Sequence, residues 1–169
     1  MILLAIDPGP TESAYVVFDA AVARPLAWDK ADNESVKDIV QGRAVPLVRG
    51  SEALAASHDR VVIEMVASYG MAVGAEVFET CVWVGRFSEA SRARAGAYAR
   101  LVFRRDVKLH ICGSSRAKDA NVRQALIDRY GPGKARAVGL KASPGPLYGM
   151  TGDCWAALGV AITAAETEA

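Results

Sequence analysis

Five consecutive apolar residues, Ile2 to Ile6, run into one carboxylate at Asp7, and Pro8-Gly9 follows at once. A short apolar run without polar alternation is the pattern of a strand buried on both faces. Pro8 has no N–H for a ladder and Gly9 tolerates positive φ, so the strand ends there with Asp7 at its tip. Ser13–Asp19 is rich in β-branched and aromatic residues and predicts a second strand, joined to the first through Pro8–Glu12 as an antiparallel hairpin. Arg24–Lys30 predicts a third strand, with Pro25 tolerated at its start. Asn33-Glu34-Ser35 offers the cap of a helix that turns Val36, Ile39 and Val40 inward, and a further short helix is predicted over Val48–Ser57. Arg60–Met65 then repeats the opening pattern, with Glu64 in the place of Asp7. Helical patterns between strands three and four make their connection a crossover, so strand four is expected parallel beside strand one.

The second half reads as mostly helical. From Gly74 to Arg94 a broad apolar face carries Val77, Phe78, Cys81, Val82, Trp83, Val84 and Phe87; it predicts core, with part of it able to meet a second subunit. Tyr98–Val102 predicts a fifth strand and Phe103–Leu109 a basic helix, broken at Gly113-Ser114-Ser115. Lys118 or Asp119 opens the next helix, with Val122, Ala125 and Leu126 inward, Arg123 and Arg129 outward, and Gly131-Pro132-Gly133 as its stop. Residues 133–149 read as a mobile basic loop. Thr151 is the expected cap of a last helix that holds Asp153 in its first turn and buries Trp155, Ala157, Leu158, Ala161 and Ile162.

A chain of 169 residues fits a single domain over residues 1–169. No run of about 18 apolar residues is free of charge, and Asp7 interrupts the only apolar start, so neither a membrane span nor a signal peptide is expected. Cys81, Cys112 and Cys154 match no zinc spacing and predict reduced thiols in a cytoplasmic protein. The formal charge of +1 conceals an asymmetry: residues 86–141 hold fourteen Lys and Arg against four Asp and Glu, a net +10, which leaves −9 elsewhere. Such a segment serves either as solvated helix faces or as the surface for a polyanion, nucleic acid first.

Asp7 alone is equally a turn cap or a fixed acid–base or metal-binding group. Glu64 changes this, because parallel neighbours bring both carboxylates to one sheet edge, where they repel unless a cation or proton lies between them. Asp153, at the start of a helix packed on the same sheet, adds a third. Three carboxylates without His or Cys at motif spacing suit Mg²⁺ or Mn²⁺ rather than Zn²⁺. Beside a basic segment they point to phosphodiester hydrolysis with two ions. His58 and His110 read as structural or surface groups.

Ile6-Asp7-Pro8-Gly9 with an aromatic after the turn resembles the opening of the RuvC Holliday junction resolvases of the ribonuclease H-like superfamily. Val62-Ile63-Glu64 resembles their second catalytic strand. Arg105-x-Val107-Lys108, then Gly113, Ala117-Lys118 and Val122, resembles their central basic region, and Gly152-Asp153 before Ala157–Ile162 resembles their ending. The blocks fall in the family's order over nearly the whole chain. The resemblance implies an α/β fold with a mixed five-stranded sheet of order 3-2-1-4-5, strand two antiparallel, flanked by helices. It also implies a homodimer that nicks four-way DNA junctions symmetrically, Asp7, Glu64 and Asp153 as metal ligands, and Lys108 and Lys118 near the scissile phosphate. Arg105 and Arg116 join them as DNA contacts.

Two departures point to a divergent, phage-type member. Ala156 stands where the family commonly has a further Asp, and Ala67 where it often has an aromatic wedge. Tyr69, two residues on, is either a base-stacking group or an ordinary loop tyrosine. A nuclease acting on RNA or on other branched DNA, and a junction-binding module without catalysis, are the alternatives that activity assays separate.

Overall fold

A computed structural model describes residues 1–46, 58–68, 70 and 72–167. Its main sheet has five strands in the order β3-β2-β1-β4-β5: β1 Ile2–Asp7, β2 Glu12–Asp19, β3 Arg24–Asp32, β4 Arg60–Met65 and β5 Arg100–Phe103. β2 is antiparallel to β1 and β3, whereas β4 and β5 run parallel to β1, as the hairpin and crossover patterns predict. The helices are α1 Asn33–Val40, α2 Ala75–Ala95, α3 Arg104–Cys112, α4 Asp119–Tyr130, α5 Lys134–Ala137 and α6 Cys154–Thr167.

The unbroken apolar run of β1 is explained by a core on each side. Leu3 and Ala5 face a cluster with Val62 and the apolar side of α6, while Leu4 and Ile6 face one with Ile63, Val36 of α1 and Phe87 of α2. All four β1 residues are fully buried. Each large side chain so buried contributes about 1.5–3 kcal/mol, which anchors this strand firmly in the sheet. α6 fits against it because its residues are small. A Cβ at Gly159 would stand 3.0 Å from Val107 Cγ1 on α3.

Several local expectations are corrected. The cap of α1 is Asp32, which accepts from the Ser35 N–H at 2.9 Å; Asn33 is drawn inward to a buried network instead. Residues 133–149 are not a loop throughout: α5 and a small hairpin of β6 Gly139–Leu140 and β7 Ser143–Pro144 lie there, anchored by buried Ala137 and Leu147. α6 starts at Cys154, so Asp153 immediately precedes it and no first-turn position is involved; Thr151 lies outside the helix. On α2 only Val84 and Phe87 of the predicted apolar face are buried, and Phe78 and Val82 are 63% and 57% exposed. β5 begins two residues later than expected, at Arg100. The predicted helix over Val48–Ser57 falls entirely outside the described residues.

Candidate active site

The turn after β1 is fixed by polar groups that the hydrophobic pattern does not reveal. Asn33 Nδ2 donates to the Gly9 carbonyl at 3.0 Å, Ser13 Oγ donates to Asn33 Oδ1 at 2.6 Å, and the Gly9 N–H donates to Ser13 Oγ at 3.3 Å. Ser13 and Asn33 are each 1% exposed, so these bonds are made away from water, where leaving them unmade is costly. Gly9 is needed for space, since a Cβ there would lie 2.4 Å from the Glu12 carbonyl oxygen; positive φ is not the reason. Asp7 is thus held at the last position of a rigid strand.

Parallel pairing of Ile6 with Ile63 brings the next residues, Asp7 and Glu64, together on the α6 side of the sheet. Each carboxyl group lies in the direct field of the other. Burial, then the charge and hydrogen bond of Glu64, then Asp153 raise the Asp7 carboxyl to about 8, against an opposing pull from Arg104. Two crowded carboxylates cannot both ionise without a positive charge between them. Asp153 is exposed and is held by Lys30 Nζ at 2.8 Å. Among the described residues, no three His, Cys, Asp or Glu side chains converge closely enough to surround one ion. The Asp7–Glu64 pair nevertheless fits a hard cation: its donors are carboxylate oxygens, and their mutual repulsion is what such an ion relieves.

Arg104 and Asp119 complete the cluster and are absent from the candidates read in the sequence. Arg104 Nη1 donates to both Glu64 oxygens at 3.2 and 3.1 Å, and Nη2 lies 2.9 Å from Asp119 Oδ1. Burial depresses the Arg104 guanidinium, but Glu64 and Asp119 outweigh it and keep the group more firmly protonated. No local sequence signal marks Arg104: β5 pairs Val102 with Glu64 and ends at Phe103, and that pairing is what starts the next helix beside Glu64.

The other candidates are more scattered. Lys108 Nζ is 3.2 Å from Asp119 Oδ1. Lys118 is exposed at the start of α4, where its N–H donates to Asn121 Oδ1, and has no ion pair among the described residues. Arg105 is exposed beside Asp106, and Arg116 is exposed on the connection to α4. Tyr69 lies outside the described residues. His58 is buried and held near pKa 4 by that burial, and His110 Nε2 lies 2.6 Å from Glu166 Oε2 at the far end of α6, so neither serves the carboxylates.

Two cavities meet at Arg104. One of about 620 Å³ is lined by Asp7, Asp119, Arg123, Asp153 and Ala156, and one of about 440 Å³ by Asp7, Glu64, Met65 and Val77. No acid stands at position 156 to extend the carboxylate set.

No protein-family model matches the chain, and no curated protein matches it in sequence. The fold does have solved counterparts. The Thermus thermophilus RuvC structure superposes with a TM-score of 0.61 at 18% identity, over 96% of this chain and 92% of that one. T. thermophilus RuvC in complex with a Holliday junction substrate superposes with a TM-score of 0.64 at 19% identity, with the same coverage. The fold is that of RuvC. Within this RuvC-type fold, Asp7 and Glu64 occupy the ends of two central strands and Asp153 the approach to the last helix. No helix among the described residues is long and apolar enough to cross a membrane.

Proposed function

We propose that the chain is a metal-dependent, structure-selective DNA endonuclease that resolves four-way junctions by paired symmetric phosphodiester nicks. The observation that carries this reading is the Asp7–Glu64 pair, set side by side at the edge of a RuvC-type sheet, with Asp7 opening onto a cavity that has Arg104, Arg123 and Lys134 on its wall. Residues 1–169 act as one nuclease domain. Asp7 and Glu64 hold Mg²⁺ or Mn²⁺, and Asp153, once it leaves Lys30, is the protein ligand available to a second ion. When bound, the ions activate water and stabilise the leaving oxygen.

The chain's own residues bind and orient the strand. Lys108, Lys118, Arg105 and Arg116 supply positive charge along the backbone, and Lys118 is the cation assigned to the scissile phosphate because none of the described acids holds it. Tyr69 is assigned to stack on a base at the opened junction. Asn33 and Ser13 keep Asp7 from moving away with the turn. Phe78 and Val82, one helical turn apart and exposed on α2, are the surface through which two copies form the homodimer that paired nicks require.

The test compares a four-way junction, a flap, a linear duplex and an RNA–DNA hybrid, each with Mg²⁺ and with Mn²⁺. Symmetric nicks confined to the junction are expected. Cleavage of the hybrid in preference would move the assignment to an RNA-directed nuclease, and junction binding without nicking to a binding module.

A further inference from the structure

Arg104 has the contacts of a counter-ion. It touches both oxygens of Glu64 through Nη1 and Asp119 through Nη2, so one side chain joins the end of β4 to the start of α4. Its side chain is 34% exposed while that of Glu64 is 7% exposed, so solvent screens the pair from one side only. Lys30 and Asp153 differ, with side chains 45% and 53% exposed, and an ion pair so open to water yields readily. The contact that governs access to the carboxylates is therefore the one made by Arg104.

Glu64 gives Arg104 the same two oxygens that a hard cation uses. A divalent ion arriving beside Asp7 meets a positive charge already fixed on the carboxylate it needs, and the two repel. The guanidinium has an alternative. Arg104 also lines a smaller cavity of about 200 Å³ with Arg105, Lys108 and Ser115, open to solvent and furnished for an anion. The planar fork that fits a carboxylate fits a phosphate equally well.

We propose that Arg104 is an internal counter-ion, seated on Glu64 in the free protein and transferred to a backbone phosphate of bound nucleic acid, so that the divalent cation is taken up together with the substrate. Asp119 is the pivot of this exchange: it holds Nη2, and Lys108 beside it, while Nη1 changes partner. Arg104 is in this sense a positioning residue for the metal. The proposal takes its substrate from the nuclease reading above and its geometry from the Glu64–Arg104–Asp119 contacts alone. Linkage makes it reciprocal: whatever removes Arg104 from Glu64 must strengthen cation binding by the same factor that cation binding loosens Arg104.

The experiment titrates Mn²⁺ into the free protein, without DNA, and follows unbound Mn²⁺ by electron paramagnetic resonance. Arg104→Gln is expected to bind Mn²⁺ at least about tenfold more tightly than wild type, a change of ~1.4 kcal/mol, and to bind a four-way junction more weakly in EDTA. A purely structural Arg104 predicts the opposite sign for the metal, since a loosened site binds less. Unchanged or weaker Mn²⁺ binding in a folded Arg104→Gln overturns the proposal. Should that variant fail to fold, Arg104→Lys carries the test, because lysine keeps the charge but cannot hold Glu64 and Asp119 at once: tighter Mn²⁺ binding supports the exchange, and unchanged or weaker binding overturns it. The two readings fail separately. Tighter Mn²⁺ binding in a protein that nicks no junction keeps the exchange at the metal and removes the nuclease. Junction nicking with unaltered Mn²⁺ binding keeps the nuclease and removes the exchange.

Discussion

Asp7→Asn separates what the carboxylate costs the fold from what it does for the chemistry. In the metal-free protein its carboxyl is raised from 3.8 to about 8, first by burial and then by Glu64. The unfolded chain releases this proton near pH 4, whereas the folded protein keeps it until about pH 8. The folded state therefore binds more protons between these limits, and stability falls as pH rises through them. The contribution is fully present below pH 4 and lost above pH 8. At ~1.4 kcal/mol per pH unit the loss by pH 7 has a ceiling on the order of 4 kcal/mol, and relaxation around a half-buried group brings it to about 2 kcal/mol. Asparagine has the same shape, carries no charge and can donate to Glu64 as the protonated Asp7 does. Urea unfolding in EDTA should then find the variant equal to wild type at pH 4 and about 2 kcal/mol more stable at pH 7, with m unchanged. Mn²⁺ at about 100 times its Kd should restore ~2.7 kcal/mol to wild type and little to the variant. Junction cleavage should be lost while binding is kept or tightened. A stability difference that stays flat from pH 4 to pH 8 would refute the crowding of Asp7 and Glu64, and full cleavage would remove Asp7 from the site.

Three further outcomes are expected. Asn33→Ala should cost about 2 kcal/mol, because it strands the buried Ser13 hydroxyl and the Gly9 carbonyl; it is read as a lower urea midpoint, with cleavage reduced beyond what the unfolded fraction explains. Lys30→Ala should shift the same midpoint by less than about 0.5 kcal/mol, since its partner Asp153 is exposed, and a larger loss would mean that the pair supports the sheet. Lys118→Ala should lower the single-turnover cleavage rate more than it weakens junction binding, and an unchanged rate would return Lys118 to the solvated surface.

The parts of this fold that could be read in the sequence are those with one dominant physical signal. β1 and β4 are apolar without interruption because each packs against helices on both faces, and their terminal carboxylates follow from parallel pairing. α5 and the β6–β7 hairpin carry no such period; Ala137 and Leu147 hold them by isolated buried contacts among Gly, Pro and Lys. The apolar face of α2 overstates its core, since periodicity marks which residues align on a helix and not whether anything covers them. In the site, Arg105 matches a motif while Arg104 makes the contacts, because the boundary between β5 and α3 turns the first arginine toward Glu64. Pairing partners of that kind are set by one residue of helix phase, which local sequence leaves open.

The close contact at Gly159 has a mechanical consequence. α3 carries Arg104 and Lys108, α6 follows directly on Asp153, and Val107 Cγ1 sits where a Gly159 Cβ would be only 3.0 Å away. There is no slack at this point for one helix to slide on the other, because close-packed interiors transmit displacement and do not absorb it. If bound nucleic acid pulls on α3 through Arg104, the displacement passes at Gly159 into α6, the helix that follows Asp153. The basic and acidic sides of the cleft are thereby joined through one packed contact, Val107 against Gly159.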